Sequence, residues 1–306
     1  MHEPVMVTEV LEHLSPARGG LFVDCTVGAG GHARAILEAG ATRLIGLDRD
    51  PDALRAASAA LAAYGSRIEL VHSDYRRLDA VLDARGIASV DGLLADLGVS
   101  SMQLDAAGRG FSFRRDEPLD MRMDRTSGDT AAEAIERADE RTLADVIYEF
   151  GEERYGRRIA RAIVNARSEG GIRTTGQLAG LVRQAIGAPL RRRARRGPRR
   201  ERGPSRIDPA TRTFQAIRIW VNRELEGLDA FLAQAAGRLA PGGRMVVVTF
   251  HSLEDRIVKH SLRSLQATAD RGLTIRTKRP VVPSEAEIER NPRARSAKLR
   301  AAERQP

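Results

Sequence analysis

Four short apolar runs, separated by alanine-rich stretches, constrain the fold of this chain more than any other feature. The runs are residues 21–24, 44–47, 68–71 and 92–97. Each has the length of a buried strand, and each of the first three gaps carries a helical pattern. Strands that alternate with helices indicate a parallel sheet covered by helices on both faces. Pro51 directly after Asp50 fits the first position of a helix capped by that aspartate.

The alternation of strands and helices stops near residue 111. From there to residue 208 the pattern is helical, with its clearest helix at about 143–167. A helix at about 213–237 follows, then LAPGG as a turn, RMVVVTF as a fifth strand, and further strands in LTIRTK and SAKLRAAER. Because a hundred-residue break inside a strand series is too long for a loop, it indicates an inserted domain. We predict a split α/β domain, 1–110 and 209–306, with a helical insertion at 111–208.

Composition narrows the class of protein. The chain has 306 residues, of which 42% are hydrophobic, enough for a sizeable core. Its one cysteine, Cys25, excludes an intrachain disulfide framework and a cysteine-cluster metal site, and is expected to be a small core residue. No apolar run reaches the ~18–20 residues of a membrane span, and the amino terminus lacks a signal-peptide pattern. We therefore expect a cytoplasmic protein without a membrane partner and without a metal.

The positive charge is concentrated in one segment. Formal net charge is +9, and residues 188–206 contain nine arginines and one glutamate, a local charge of +8 that leaves about +1 for the rest. Such a block is typical of an arm that binds nucleic acid, although a solvated surface loop has the same composition.

The segment VDCTVGAGGHAR, residues 23–34, predicts a cofactor site. Gly28, Gly30 and Ala33 fit the pattern G-x-G-x-x-G/A, in which a glycine turn and a helix N-terminus hold an adenosine cofactor. Asp48 ends the second strand twenty residues after Gly28, where a carboxylate accepts hydrogen bonds from ribose hydroxyls. These features suit NAD and S-adenosylmethionine equally.

Asp24 favours S-adenosylmethionine. It lies four residues before Gly28, where a carboxylate would repel a pyrophosphate but attract a positively charged α-amino group. A structural cap on the turn is the alternative interpretation. We expect His32 to contact the cofactor through its backbone rather than its ring. Tyr75, after the third strand, is placed to stack on adenine, or is an ordinary half-buried strand-end residue.

Two further segments carry candidate chemistry. Asp96 ends the fourth strand in DGLLADLGVSSMQLD, at the sheet edge where ligands bind in open α/β folds, and Gln103 follows it. His251 follows the fifth strand in TFHSLEDRIVK and is a candidate for substrate contact, with a structural role as the alternative. Ser252 and Asp255 fit the S-x-x-D capping box of a helix.

Several long stretches, in order and nearly end to end, resemble the RsmH (MraW) family. They are HEPVM, DCTVGAGGH, LDRDPDAL, DGLLADLGVSS with MQLD, RGFSFRRDEPLDMRMD, GEERYGRRIARAIV, DPATRTFQAIRIWVNREL, LAPGGRMVVVTFHSLEDRIVK and NPRARSAKLRAAER. The resemblance implies a class I (Rossmann-like) methyltransferase sheet, mostly parallel, with an inserted all-helical domain. It also implies S-adenosyl-L-methionine as cofactor and N4 methylation of one cytidine in the decoding region of 16S rRNA, within the small ribosomal subunit.

The same resemblance assigns the cofactor contacts. They fall on Gly30, Gly31, His32, Asp48, Tyr75, Asp96 and Gln103. Tyr75 stands where the family often has phenylalanine, which preserves stacking. The arginine block at 191–202 looks longer and more basic than the family's usual linker, so no family role carries over to it. Asp208 stands where the family often has histidine, which leaves a role for that side chain open.

The implied reaction is a direct transfer in which the exocyclic amine attacks the methyl group in line. We expect Asp96, or the carbonyl after it, to accept the amine's hydrogens. Phe111, Phe113 and His251 are candidates to clamp a base that has left its stack. The helical insertion and the arginine block would bind phosphates.

Three other functions remain open at the level of sequence. An NAD-dependent oxidoreductase would need a hydride-handling site, and no Tyr-x-x-x-Lys or His–Asp pair is convincingly placed. A DNA cytosine-N4 methyltransferase is disfavoured because Leu97-Gly98-Val99 stands where such enzymes often have Pro-Pro-aromatic. A non-catalytic RNA-binding assembly factor is the third. A homodimer is also left open.

Overall fold

The computed structural model describes residues 4–194, 208–268 and 272–305, and leaves the side chains of Ser101 and 188–194 undescribed. The described chain forms two compact units. The first comprises the described parts of Met1–Ser100 and Leu225–Pro306, and the second is Ser101–Glu224. The helical unit thus begins before, and ends after, the segment 111–208 expected from sequence. Most of the arginine block lies outside the described residues.

The first unit is built on a seven-stranded sheet with the order β3-β2-β1-β4-β5-β7-β6. Its strands are β1 (Leu21–Asp24), β2 (Arg43–Asp48), β3 (Ile68–His72), β4 (Val90–Asp96), β5 (Leu239–Thr249), β6 (Leu273–Ile275) and β7 (Lys298–Arg304). The first five strands pair in parallel, and β7 runs antiparallel to both of its neighbours. The mostly parallel class I methyltransferase sheet predicted from the resemblance is confirmed.

The reversal in strand order fixes where a ligand binds. β1 lies between the two halves of the sheet. β2 and β3 follow on one side of it, and the chain then crosses over to β4 and β5 on the other side. Asp24 pairs in register with Gly46 of β2 and Leu94 of β4, so the carboxyl ends of the three central strands lie together. In doubly wound sheets this edge is the usual ligand site.

Helices cover both faces of the sheet. They are α1 (Val7–Leu14), α2 (Gly31–Glu38), α3 (Pro51–Leu61), α4 (Leu78–Asp83), α11 (Leu228–Arg238), α12 (Ser252–Ala267) and α13 (Glu285–Arg290). One apolar cluster contains Leu93, Phe231 and Val247, and the other contains Phe22, Ile36 and Leu94. Successive side chains of β4 point to opposite faces of the sheet, so Leu93 belongs to the first cluster and Leu94 to the second. Both faces of this strand are therefore buried, as expected for a central parallel strand.

The second unit is helical, with α5 (Ser101–Asp105), α6 (Ala131–Arg137), α7 (Glu140–Gly151), α8 (Gly156–Glu169), α9 (Thr175–Ala194) and α10 (Ala210–Asn222). The predicted single helix at 143–167 is wrong. It is two helices, because Glu152 takes a left-handed backbone (φ 48°) and ends α7. The apolar pattern continues across the break, since α7 and α8 pack against each other and bury residues such as Ile147 and Ile159.

Two other predicted elements differ. The expected helix at 213–237 is also divided, because Arg223 adopts a left-handed conformation (φ 50°) and ends α10. The expected turn LAPGG lies within β5. Val90 of β4 pairs with Leu239 of β5, and Gly92 pairs with Arg244, so the register shifts between these two pairs. The segment 240–243 therefore forms a bulge in β5 and does not end the strand. Among the described residues, no helix is long and apolar enough to cross a membrane.

Candidate functional site

The glycine turn joins β1 to α2 and lies at the carboxyl edge of the sheet. The Gly28 N–H donates a 2.8 Å hydrogen bond to Asp48 Oδ2. Gly30 is the N-cap of α2 with φ 86°, and a Cβ there would lie 2.9 Å from Leu61 Cδ1. Both the backbone conformation and the close approach of α3 therefore require glycine at position 30.

Asp48 holds the turn and the following loop together. Its Oδ1 accepts the Asp50 N–H at 2.8 Å, and its Oδ2 accepts the Gly28 N–H. Burial raises the pKa of Asp48 to about 6, and the two backbone donors oppose the rise. A carboxylate has about four acceptor positions, so two remain for a ligand. Asp50 caps α3 with Pro51 at its first turn, as predicted.

Asp24 and Asp96 are the two acids nearest the centre of the sheet edge. Asp24 is fully buried, and its Oδ1 accepts the Thr26 N–H at 3.1 Å. The Asp96 N–H in turn donates to Thr26 Oγ1 at 2.7 Å. Within the described part of the chain, Asp24 Oδ2 and Asp96 Oδ1 are buried carboxylate oxygens without a hydrogen-bond partner. Each acid therefore has one engaged oxygen and one available oxygen. Asp24 Oδ1 accepts the Thr26 N–H, and Asp96 Oδ2 lies 3.5 Å from His32 Nε2.

The electrostatics of this edge favour a cationic ligand. Burial raises the pKa of Asp24 to about 7, an effect that His32 opposes and that the charges of Asp96 and Asp48 reinforce. Three carboxylates thus share a buried edge with one imidazole. Because unpaired buried charge is costly, a positively charged group bound beside these acids would relieve their repulsion.

His32 lies on the first turn of α2 with its ring buried, 6% exposed. Its Nε2 is 3.5 Å from Asp96 Oδ2, an ion-pair distance rather than a well-formed hydrogen bond. Burial lowers the pKa of His32, but the interactions with Asp96, Asp24 and Glu287 outweigh burial, so the net shift is upward. Sequence reasoning assigned the contact to the His32 backbone and did not foresee this position of the ring.

Thr26 was also missed. Its hydroxyl connects the turn after β1 to the end of β4, through the Asp96 backbone. The sequence did contain an indication, since a hydroxyl two residues after a strand-ending aspartate favours a tight hydrogen-bonded turn.

Tyr75 lies in the core rather than on an open surface. Its ring is 8% exposed and packs against Phe231, with ring centroids 4.7 Å apart. The preceding Asp74 caps the short turn after β3 and pairs with Arg76 at 2.6 Å. Adenine stacking on Tyr75 remains a prediction from the resemblance.

Three other predicted residues belong to the helical unit. Gln103 lies on α5 and is 5% exposed, and Phe111 is 7% exposed. Phe113 packs edge-on against Phe214 with centroids 4.8 Å apart. The guanidinium of Arg183 lies over the ring of Phe113, 5.5 Å from its centroid.

Asp208, whose role the sequence left open, fixes that guanidinium. Its carboxylate accepts three hydrogen bonds from Nε and Nη2 of Arg183, the shortest at 2.8 Å. It also accepts the Ala210 N–H at the start of α10. Asp208 therefore orients Arg183 over Phe113, which gives the side chain a structural task within its own unit.

His251 caps α12, and the predicted capping box of Ser252 and Asp255 is wrong. The His251 Nδ1 accepts the Glu254 N–H at 3.4 Å, and Glu254 Oε2 accepts the Phe250 N–H at 2.9 Å. Asp255 is instead paired with Arg300 at 2.7 Å. The helix thus begins one residue earlier than a serine cap would allow, because the imidazole performs the capping role. The His251 side chain is 6% exposed.

Cys25 is a free, buried thiol whose pKa is raised well above its usual range by burial and by the charge of Asp24. A thiol of raised pKa is a poor nucleophile, so the prediction of a small core residue is confirmed.

Comparison with known proteins gives consistent matches along the whole chain. The model of the MraW methylase family matches residues 1–305. A ribosomal RNA small subunit methyltransferase H from Nitrobacter winogradskyi is 51% identical, over 99% of this chain and 90% of that protein. The protein of the same name from Sorangium cellulosum is also 51% identical, with the same two coverages. An rRNA methylase structure from Streptococcus thermophilus has 12% identity and a TM-score of 0.41, and covers 97% of this chain and 95% of that one.

Proposed function

The chain belongs to the MraW methylase family and is a methyltransferase, and from this premise we propose its substrate, cofactor contacts and mechanism. The cofactor is S-adenosyl-L-methionine, and the substrate is the N4 amine of one cytidine, position 1402, in the 16S rRNA of the small ribosomal subunit. The relatives at about half identity carry the name of a small-subunit ribosomal RNA methyltransferase, which supports this substrate class. Such a substrate is cytoplasmic, so the protein is expected there.

The observation that carries the cofactor assignment is the pair of free buried oxygens, Asp24 Oδ2 and Asp96 Oδ1. When bound, S-adenosylmethionine supplies an electrophilic methyl group on a cationic sulfonium, next to a cationic α-ammonium. The acidic edge fits both cations, because the α-ammonium would meet Asp24 Oδ2, which otherwise lacks a partner, and the negative charge of the neighbouring Asp96 would attract the sulfonium. The same edge does not suit the pyrophosphate of a dinucleotide, whose negative charge Asp24 would repel.

The remaining cofactor contacts follow the turn and the strand ends. We assign the ribose hydroxyls to Asp48, whose two unused acceptor positions suit a pair of hydroxyl donors. Gly30, Gly31 and His32 present backbone at the N-terminus of α2. Tyr75 and Gln103 complete the set on the strength of the family resemblance.

Asp96 has a second task toward the target base. A cytosine amine is a poor nucleophile because its lone pair is delocalised into the ring. An acceptor for an N4–H helps the nitrogen become tetrahedral and then receives the proton that leaves after transfer. We assign this acceptor to Asp96 Oδ1, which is buried and lacks a hydrogen-bond partner among the described residues. The nitrogen lone pair forms the new N–C bond while the electrons of the broken C–S bond stay on sulfur.

RNA binding is assigned to the helical unit and the arginine block. The block at 188–206 carries most of the net charge of +9, and contacts from arginine to phosphate position an RNA without reading its sequence. The planar pair of Phe113 and Arg183 offers aromatic and guanidinium faces of the kind that stack on bases of RNA. Phe111 and His251 remain candidates for holding the flipped base.

Transfer of a labelled methyl group tests this function. Purified protein with S-adenosylmethionine should methylate small subunits from cells that lack this gene, and Asp96→Asn should slow the transfer by about 10²- to 10⁴-fold, the loss typical of removing a general base. Asp229→Asn, which changes an exposed acid on α11, is the matched control. Calorimetric titration should show binding of S-adenosylmethionine and none of NAD. Binding of NAD alone would indicate an oxidoreductase, and cofactor-independent rescue of subunit assembly would indicate a non-catalytic factor.

A further inference from the structure

We propose that the ring of His32 is a positioning residue that orients the carboxylate of Asp96, so that its free oxygen can accept the hydrogen of the target amine. This inference rests on the proposed function and gives the His32 side chain a task separate from any backbone contact with the cofactor.

The arrangement of the two side chains carries the proposal. Asp96 ends β4 and His32 begins α2, and Nε2 of the ring lies 3.5 Å from Asp96 Oδ2. The other carboxylate oxygen, Oδ1, is buried and lacks a hydrogen-bond partner within the described ranges. The imidazole therefore engages one oxygen of the acid while the second stays free.

The ring has no competing partner that would fix it elsewhere. In the described portion of the chain, neither His32 Nδ1 nor Nε2 makes a hydrogen bond, although the ring is 6% exposed. A buried imidazole without partners is costly unless a nearby charge compensates it. The groups that supply such charge are Asp96 from β4, Asp24 from β1 and Glu287 from α13. All three favour the protonated ring, and Asp96 is the largest contributor.

An imidazole beside Asp96 determines which of its two oxygens is left for the substrate. The charges of Asp96 and Asp48 raise the pKa of Asp24, which shows that the acids of this edge interact. The ring holds Asp96 Oδ2 at 3.5 Å and restricts the rotation of the carboxylate. Oδ1 therefore stays directed away from the ring as the acceptor. Contacts of this kind are often long in ligand-free proteins and shorten in the reactive complex.

The first test needs no cofactor and no RNA. The pKa of the His32 ring is measured by NMR titration in the wild type, in Asp96→Asn and in Asp24→Asn, with His32→Gln used to assign the signal. The wild-type pKa should lie above the usual histidine range, and Asp96→Asn should lower it more than Asp24→Asn does. An unchanged His32 pKa in a folded Asp96→Asn variant would overturn the proposal. If Asp96→Asn does not fold, the kinetic test decides.

The second test separates positioning from binding. His32→Leu should lower kcat about 10- to 100-fold, a loss typical of removing an orienting partner, while the calorimetric Kd for S-adenosylmethionine changes less than about threefold. His32→Gln, whose amide can still donate to Asp96, should retain more activity than His32→Leu. His260→Gln, on exposed α12 surface, is the control.

A double variant tests whether His32 acts through Asp96. His32→Leu combined with Asp96→Asn should be no slower than Asp96→Asn alone, because the ring acts through the acid. Independent, additive losses would overturn the proposal. If the wild type methylates no RNA, the proposed function fails. The effect of Asp96→Asn on the pKa of His32 can still be measured by NMR, because that titration needs neither RNA nor cofactor.

Discussion

Asp24 and Asp96 end neighbouring strands of the sheet, and each keeps one buried carboxylate oxygen without a hydrogen-bond partner among the described residues. Thr26 connects them, since its N–H donates to Asp24 and its hydroxyl accepts from the Asp96 backbone. Asp24 is fully buried, and its raised pKa shows that its charge is disfavoured in the ligand-free protein, so a cationic ligand at this edge would be stabilised. The proposed recognition of the cofactor depends on these two carboxylates and their free oxygens.

Asp24→Asn should weaken cofactor binding while stabilising the ligand-free protein. The amide oxygen can still accept the Thr26 N–H, so the cap is kept and the charge is removed. Loss of one charge-assisted hydrogen bond predicts a Kd for S-adenosylmethionine higher by about 10- to 100-fold, measured by calorimetry. An unchanged Kd would mean that Asp24 only caps the turn.

The stability effect of Asp24 depends on pH in a defined direction. Its pKa in the folded protein, about 7, is raised above the ordinary value of 3.8. Ionisation therefore opposes folding, and the stability contributed by the protonated acid is present below about pH 4 and lost as the pH rises through 7. Urea unfolding should show Asp24→Asn to be more stable than the wild type at pH 8, by on the order of a few kcal/mol, with the difference vanishing near pH 4. Asp229→Asn should show no such pH dependence.

Asp48→Ala should lower both cofactor affinity and stability. The substitution leaves the N–H groups of Gly28 and Asp50 without their acceptors, at a cost of about 1–3 kcal/mol for each group that stays buried. Asp52→Ala is the matched control, because Asp52 pairs at the surface with Arg55. Its expected cost is below about 1 kcal/mol. Equal losses in the two variants, measured by urea unfolding, would contradict the role given to Asp48.

Gly30→Ala should destabilise the protein more than Gly86→Ala does. Both glycines have positive φ, 86° and 64°, but a Cβ at Gly86 meets nothing within 4 Å among the described residues, whereas one at Gly30 meets Leu61 at 2.9 Å. The shared cost is the left-handed conformation, about 1–2 kcal/mol, and the excess at position 30 measures the packing of α3 on the turn. Thermal unfolding of the two variants gives the comparison, and an equal loss would show that Leu61 moves aside freely.

His251→Ala should cost about 1 kcal/mol of stability, the usual loss when a helix N-cap is removed. His251→Asn should restore most of it, because asparagine is a good N-cap. Methyl transfer by the two variants then separates the roles of this residue. Full activity in His251→Asn indicates a cap alone, and a folded His251→Asn with low kcat assigns the ring to the substrate.

Replacing the arginines of 191–202 with serine should weaken binding to the RNA substrate and reduce the dependence of affinity on salt. For every arginine–phosphate interaction that the substitutions remove, the salt slope should fall by about 0.7–0.9. Binding of S-adenosylmethionine should not change, since none of the residues assigned to the cofactor is substituted. A salt slope equal to that of the wild type would show that the block is a solvated loop.

The sheet could be predicted from the sequence because buried parallel strands are continuous apolar runs. The run at 21–24 coincides with β1, and those at 44–47, 68–71 and 92–97 lie within about two residues of β2, β3 and β4. The helix breaks could not be predicted in the same way. Glu152 and Arg223 adopt left-handed conformations that are common for glycine but rare for these residue types, so no local pattern marks them.

The candidate site could be predicted in its parts but not in its arrangement. The strand ends and the glycine turn identified Asp24, Asp48 and Asp96. The contact of the His32 ring with Asp96 joins residues far apart in sequence, and only the register of β1 and β4 brings them together. The capping rule failed at α12 because it favours serine and aspartate, whereas an imidazole nitrogen can accept the same N–H.

Mass spectrometry of 16S rRNA from cells with and without this gene measures the proposed methylation in its natural substrate. Digestion to nucleosides and to oligonucleotides gives both the number and the position of methyl groups on cytidine. Cells that lack the gene should lose one N4 methyl group from a single cytidine of the decoding region, and the wild-type gene should restore it whereas Asp96→Asn should not. An unchanged methylation pattern in cells that lack the gene would show that this protein is not the proposed methyltransferase.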